Sequence, residues 1–192
     1  MSKVKAAKAI RTCTIPPLVV TMLLVFLYFV RSEIFRNAWD LVLAIMFLAI
    51  VPTLAYPLQS VLPHYRDMDK REGQRKLAFL MSITGYITGF LLSVISGVSI
   101  ELKFIYATYV LSVIILIIFN KGLKFRASGH ACGVFGPLIH AVYFMGWGWL
   151  LPCALAVYAV VWSSLFLMRH TKGELLWGGI SAATAFVVCI LV

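Results

Sequence analysis

The sequence predicts an all-α, polytopic membrane helix bundle, and three observations support this prediction. Hydrophobic residues make up 62% of the 192-residue chain, whereas charged residues make up only 12%. A soluble domain has about 25% charged residues, so much of this surface cannot face water. The apolar residues also form long uncharged runs between short polar segments. Disorder, a secreted disulfide scaffold and a free cytosolic enzyme are therefore excluded.

Six uncharged runs mark the predicted membrane crossings. A helix needs roughly 17–25 residues to cross the hydrocarbon core, and the shortest runs reach this length with a flanking residue or two. The alternating pattern of a transmembrane barrel is absent, so the runs are predicted to be helices. In chain order they are residues 15–30, 41–62, 77–100, 104–119, 131–168 and 175–192.

The fifth run is too long for a single crossing. As one helix its 38 residues would extend about 57 Å, far beyond a bilayer core. We expect it to fold back at residues 146–149, where glycines permit a turn and tryptophans suit the interface. Residues 1–192 are thus predicted to form one integral membrane domain of about seven transmembrane helices, or six if the first is peripheral.

The charged residues separate by side of the predicted bundle. Residues 1–14, 63–76, 120–130 and 169–174 carry 14 of the 17 lysines and arginines, and we call these four segments the basic end. The acidic residues divide almost evenly between the two sides. The positive-inside rule therefore predicts that the N-terminus and the basic end lie in the cytoplasm.

The basic end also carries the groups that phosphate chemistry needs. His130 and His170 flank predicted helices, and Ser128 and Gly129 precede one of them. A helix N-terminus offers N–H groups to an anion, and two histidines can serve as nucleophile and acid. Glu174, four residues after His170, is predicted to lie one helical turn away and to fix its tautomer. Arginine and lysine side chains can neutralise the phosphate, and the candidates are Arg71, Arg75, Lys121, Arg126 and Arg169.

The order of these residues resembles a known family. Ala127-Ser128-Gly129-His130 is followed two predicted helices later by Trp162-Ser163-Ser164, Arg169-His170-Thr171 and Glu174-Leu175-Leu176-Trp177-Gly178. This arrangement is similar to that of the type 2 phosphatidic acid phosphatases, membrane relatives of the vanadium haloperoxidases. Their three blocks read Lys-x6-Arg-Pro, Pro-Ser-Gly-His and Ser-Arg-x5-His-x3-Asp. The motif-bearing part of this chain is residues 64–192.

The resemblance implies a role for each matching residue. It assigns His170 as the nucleophile that forms a phosphohistidine, Glu174 as the group that orients it, and His130 as the acid for the leaving group. Ser128 and the Gly129 amide would hold phosphate oxygens, and Arg71 and Arg75 would supply further contacts. The family uses no metal and no other cofactor, so none is expected here.

This chain departs from the family pattern in all three blocks. Ala127 replaces proline in the second block, and Glu174 replaces aspartate in the third. The first block does not match at its spacing, because no lysine lies seven residues before Arg75 and Lys76 replaces the proline. Ser164 occupies the position of the family's arginine, six residues before the nucleophilic histidine.

The sequence therefore predicts a metal-independent lipid phosphatase. An isoprenyl phosphate, phosphatidate or a phosphatidylglycerol phosphate would suit it, as monophosphate or diphosphate, and the basic loops would also contact anionic lipid headgroups. Two alternatives stay open: a lipid phosphotransferase that uses the same site, and a non-catalytic binder or transporter of anionic lipids, which Ser164 favours. We expect no nucleic-acid partner.

Overall fold

The computed structural model describes residues 2–192, apart from the side chain of Arg71. Over this range the chain forms eight helices of eleven or more residues and no strand, which confirms the predicted all-α class. In chain order the helices are α1 (Lys3–Cys13), α2 (Pro16–Val30), α3 (Ala38–Val61), α4 (Lys70–Ile95), α5 (Ile100–Gly122), α6 (Gly129–Met145), α7 (Leu150–Phe166) and α8 (Lys172–Leu191).

Five of these helices, α3, α4, α5, α7 and α8, are long and apolar enough to cross a membrane. Helices α1 and α2 meet at a 57° bend and would add a sixth span if the pair crosses as one. Length and composition thus identify five or six spans, whereas the sequence predicts about seven, or six if the first is peripheral. The difference arises because α2 has only 15 residues and α6 only 17, at or below the usual length of a crossing helix.

The predicted fold-back within residues 131–168 is confirmed. Helix α6 ends at Gly146, whose φ of 87° lies in a region that glycine enters without steric cost. A single 3-10 turn, Trp147–Trp149, then leads directly into α7. Trp147 is 83% exposed, as an interfacial tryptophan at the end of a span would be.

Proline and glycine shape the remaining helices. Pro16 and Pro17 occupy the first turn of α2, where a missing N–H costs little, and they follow the bend after α1. Helix α3 contains a π-helical turn at Met46–Ile50 and is interrupted at Leu54, between Pro52 and Pro57. The part of α3 after the π-helical turn packs against α4.

The main core joins α2, α3, α5 and α6. Its fully buried side chains include Leu24, Leu27, Leu48, Leu102 and Ile105. A smaller cluster lies near the basic end, where Leu116 of α5, Cys132 of α6 and Ala182 of α8 pack together with aromatic neighbours. This second cluster fixes α6 and α8 beside each other and thereby positions the residues that follow.

Candidate active site

The first part of the site is the N-terminus of α6. Ser128 caps the helix, since its Oγ accepts a hydrogen bond of 3.2 Å from the Ala131 amide. The Ser128 amide itself donates to the carbonyl oxygen of Glu174 at 2.8 Å, which ties the start of α6 to the start of α8. Gly129 is the first helical residue, and an added Cβ there would meet open space. The amides of this first turn therefore face an accessible region that favours an anion.

The second part is the turn that precedes α8. Thr171 caps this helix: its Oγ1 accepts from the Glu174 amide at 3.2 Å, and the Glu174 carboxylate accepts from the Thr171 amide at 3.4 Å. This reciprocal pair is a capping box. His170 stands just before the cap, so it is not on the helix.

Glu174 contacts His170, as the spacing of four residues predicts. His170 Nδ1 donates to Glu174 Oε2 at 2.9 Å, and both side chains are largely buried. The pair is formed across the start of α8 and not within the helix, because His170 lies just before the N-cap. The contact forms because the capping box turns the Glu174 side chain back toward the preceding turn. Thr171-x-x-Glu174 is a visible capping-box signal that could have given this arrangement from the sequence.

The hydrogen bond to Glu174 determines which nitrogen of His170 can react. With Nδ1 holding the proton, Nε2 carries the lone pair. The Ser128 hydroxyl lies 3.4 Å from Nε2 and can donate to it. Residues 42 positions apart in the chain are therefore in contact, and Nε2 points toward the N-terminus of α6.

His130 lies on the other side of this space. The rings of His130 and His170 have centroids 6.5 Å apart and planes 16° from parallel. The two predicted histidines, 40 positions apart in the chain, therefore lie side by side. The Nε2 atom of His130 is buried and has no hydrogen-bond partner among the described residues. A buried nitrogen without a partner is expected to acquire one from a ligand or water.

Arg126, one of the predicted cations, contacts Glu174 next to His170. Its Nε lies 3.5 Å from Glu174 Oε1, while the side chain as a whole is 74% exposed. The loop that carries it is anchored by Phe125, which stacks on Trp177 of α8 with centroids 4.7 Å apart. Arg126 can therefore leave Glu174 for a bound anion without displacing the loop.

Two further predicted cations, Arg75 and Lys121, lie outside the histidine pair. Arg75 donates to the side-chain oxygen of Asn120 at 3.4 Å, and Asn120 in turn donates to the Ala127 carbonyl at 3.2 Å. Arg75 thus supports the loop before Ser128 and does not contact either histidine. Lys121 is exposed at the end of α5. The side chain of Arg71 lies outside the described residues.

Ser164, which stands where the type 2 phosphatidic acid phosphatases have an arginine, is a buried residue. Ser164 has no exposed surface, and within the described part of the chain its Oγ lacks a hydrogen-bond partner. Its carbonyl oxygen accepts from the Arg169 amide at 2.9 Å. Ser164 therefore supports the turn that leads to His170 but presents no charge to the site.

Two cations that the sequence predictions missed approach the site from α1. Helix α1 packs against α7. Arg11 lies near enough to His130 for its charge to act on that ring. A cavity of about 400 Å³ lies between α1 and the end of α7, lined by Lys8, Arg11, Thr12, Ile15, Leu167 and Arg169. The spacing of Lys8 and Arg11 on one helical face is the only sequence signal for this surface.

The described residues gather no three histidine, cysteine or carboxylate side chains in a group that could hold a metal ion. What they gather is two imidazoles, a capping serine, helix amides and cations, which are the groups that bind and transfer a phosphate. Comparison with protein-family models, with curated proteins and with solved structures gives no match for this chain.

Proposed function

We propose that this chain is a metal-independent lipid phosphatase that works through a phosphohistidine on His170. The observation that carries the proposal is the orientation of this histidine. Nδ1 is bound to Glu174 at 2.9 Å, so Nε2 carries the lone pair and faces the capping Ser128, with the ring of His130 nearby. A nucleophile, the group that orients it and a second proton carrier are the parts that covalent catalysis requires. The resemblance to the type 2 phosphatidic acid phosphatases supports the same roles.

The first step transfers the phosphoryl group to the protein. His170 Nε2 attacks phosphorus, the N–P bond forms, and the bond from phosphorus to the lipid oxygen breaks. Burial, with the nearby charges of Arg11 and His170, lowers the pKa of His130 to about 4, so the ring takes up a proton when the phosphate anion binds beside it and then gives that proton to the departing oxygen. The proton on His170 Nδ1 stays in its hydrogen bond, where the Glu174 carboxylate stabilises the positive charge that the ring acquires. Ser128, the Gly129 amide and Arg126 neutralise charge on the phosphoryl oxygens.

The second step returns the protein to its starting state. A water molecule attacks phosphorus, and His130, now without its proton, accepts one from that water. The N–P bond breaks, inorganic phosphate leaves, and His170 recovers its lone pair on Nε2. The sum of the two steps is the hydrolysis of one phosphate ester or anhydride bond.

The substrate is a phosphate or diphosphate of a membrane lipid. His170 directly precedes α8, which is long and apolar enough to cross a membrane, and the ring of His130 lies beside it, so a lipid can keep its chains among apolar helices while its headgroup reaches both histidines. Isoprenyl phosphates, phosphatidate and phosphatidylglycerol phosphate each combine apolar chains with a phosphate headgroup. We also propose that the basic end faces the cytoplasm, because it carries nearly all of the lysines and arginines.

The test is phosphate release from these lipids by the purified chain in EDTA. Wild type is expected to release phosphate, and His170→Ala is expected to lose activity by a factor of about 10³ or more. His64→Ala is the matched control, since His64 is an exposed histidine of the basic end outside the site. Equal release by wild type and His170→Ala would eliminate the assigned nucleophile.

A second candidate is a non-catalytic binder of anionic lipids, and the observation that favours it is the buried Ser164 in place of an arginine. Lipid binding without turnover on any of the lipids would support it. If an alcohol captured the phosphoryl group in place of water, the chain would be a phosphotransferase. A phosphorylated alcohol among the products, in the presence of added acceptor alcohols, would show this.

A further inference from the structure

The cavity beside α1 has the charge of an anion site and the size of a ligand site. Three of its six lining residues, Lys8, Arg11 and Arg169, are cations, and none of the six carries a carboxylate. Its volume of about 400 Å³ lies in the range of small-molecule sites, ~300–1,000 Å³. Three positive charges that line one cavity favour the binding of an anion there.

This cavity adjoins the histidine pair. Arg169 in its wall is the residue before His170, and Arg11 in its wall acts electrostatically on His130. In the proposed reaction His130 protonates the departing oxygen, so the departing group lies on the side of the site that Arg11 approaches. An anion bound in the cavity is therefore next to the bond that breaks.

The number of cations exceeds what a single phosphate needs. A phosphate between the histidines already has Ser128, the amides at the start of α6 and Arg126. Three more cations in an adjoining cavity match a second phosphate on the same headgroup.

Resting on the function proposed above, we propose that the cavity lined by Lys8, Arg11 and Arg169 binds the inner phosphate of a lipid diphosphate. The terminal phosphate then lies between His130 and His170. His170 forms its N–P bond to the terminal phosphorus, the anhydride P–O bond breaks, and the leaving group is the lipid monophosphate. Its new negative charge develops among the three cations, which stabilise it in the transition state. Arg11 thus supplies, from a different helix, the charge that Ser164 lacks.

The test compares two lipids with the same isoprenyl chain, one a diphosphate and one a monophosphate, with the full chain in detergent. Arg11→Gln is expected to lower kcat/KM for the diphosphate by at least about tenfold and for the monophosphate by less than about threefold. Lys8→Gln is expected to show the same preference, and because Lys8 is exposed this variant keeps the fold. Lys3→Gln is the matched control, since Lys3 is on the same helix but does not line the cavity. Equal losses on both lipids, or no loss, would overturn the proposal.

A binding measurement separates this inference from the proposed function. By isothermal titration calorimetry, wild type is expected to bind inorganic pyrophosphate at least about tenfold more tightly than inorganic phosphate, and Arg11→Gln is expected to abolish the difference. If wild type prefers pyrophosphate in this way but turns over no lipid, the proposed phosphatase activity is refuted and the proposed anion site is retained. No preference for pyrophosphate would refute the site.

A third arm tests for a separate lipid in the cavity. If phosphatidylglycerol in the micelles raises turnover of the monophosphate, and Arg11→Gln removes this rise, the cavity holds an independent headgroup. The inner-phosphate assignment would then be wrong.

Discussion

Glu174 is the residue on which the geometry of the site depends most. Its carboxylate accepts from His170 Nδ1 and from the Thr171 amide, and it lies near Arg126. One side chain therefore caps α8, orients His170 and pairs with Arg126. A glutamate suits this position better than an aspartate, because the third residue of a capping box must reach back to the cap.

We expect Glu174→Gln to lower kcat for phosphate release by about 10²–10⁴-fold. The amide keeps the shape of the carboxylate but carries no charge to stabilise the imidazolium, and its N–H₂ group favours the wrong tautomer of His170. Steady-state assays on a lipid phosphate measure the loss. Glu174→Asp retains the charge and should lose less. Wild-type kcat in Glu174→Gln would show that Glu174 acts only as a helix cap.

Ser164 allows a prediction about the missing arginine. Because this residue has no exposed surface, Ser164→Arg would bury a charge and should destabilise the fold by about 3 kcal/mol or more. Ser164→Ala removes a hydroxyl that lacks a partner within the described chain, so it should cost less than about 1 kcal/mol. Thermal unfolding in detergent compares the two. A stable and more active Ser164→Arg would show that the site does need an arginine at this position.

At the scale of the elements, the close crossing of α6 and α8 brings the two histidines together. Gly178 lies where an added Cβ would overlap the Ser128 carbonyl oxygen and come within 2.9 Å of the Ala131 Cβ. No larger residue fits unless α8 moves away from α6. The separation of His170 from Ser128 therefore depends on a glycine two turns into α8.

Gly178→Ala should destabilise the protein by about 1–3 kcal/mol and lower activity on any lipid, because overpacking separates the two helices. Thermal unfolding and phosphate release measure the two effects. Gly173→Ala is the matched control on the same helix, since its nearest neighbour would be 4.0 Å from the new Cβ. Unchanged activity in Gly178→Ala would show that the site tolerates displacement of α8.

The sequence predicted some elements well and others poorly, for physical reasons. Length alone required the fifth apolar run to fold back, and Gly146 provides the turn. The number of spans was harder to predict, because α2 is too short to cross a membrane alone. Helix α1, which meets α2 at a bend, packs against α7, and this long-range packing is not visible in the sequence. The sequence placed His170 at a helix boundary with Glu174 one helical turn away, and the capping box of Thr171 and Glu174 explains how the two side chains meet across the start of α8.

At the scale of the whole molecule, some residues of the candidate site could be predicted from the sequence and others could not. Ser128, Gly129 and His130, and likewise His170 and Glu174, are neighbours in sequence, so local patterns could identify each group. Arg11 approaches His130 from more than a hundred residues away. A single sequence cannot show that the charge of Arg11 acts on His130, because this depends on how α1 packs.

The end of the bundle opposite the basic end is held by its own contacts. Arg36 pairs with the buried carboxylate of Asp40, at 2.8 Å, and also donates to the Ser96 carbonyl between α4 and α5. Asp40→Asn should lower Tm by about 2–4 °C and leave kcat unchanged, because the loss lies at the far end of the helices. Calorimetry and the phosphate assay measure both. A fall in kcat would show that this end is coupled to the histidines.

The separation of charge between the two ends makes the orientation in a membrane testable. A lysine- and arginine-rich end stays in the cytoplasm during insertion, so the loop that contains Asp67 should be inside and the turn at Trp147 outside. Asp67→Cys and Trp147→Cys, each in a Cys13→Ser, Cys189→Ser background, report this, because the remaining Cys132 and Cys153 are buried. A maleimide that does not cross membranes should label Trp147→Cys in intact bacterial cells and Asp67→Cys only after permeabilisation.

The parent without either new cysteine should stay unlabelled. Labelling of Asp67→Cys in intact cells would place the basic end outside, and the substrate headgroup would then have to be supplied from the external leaflet.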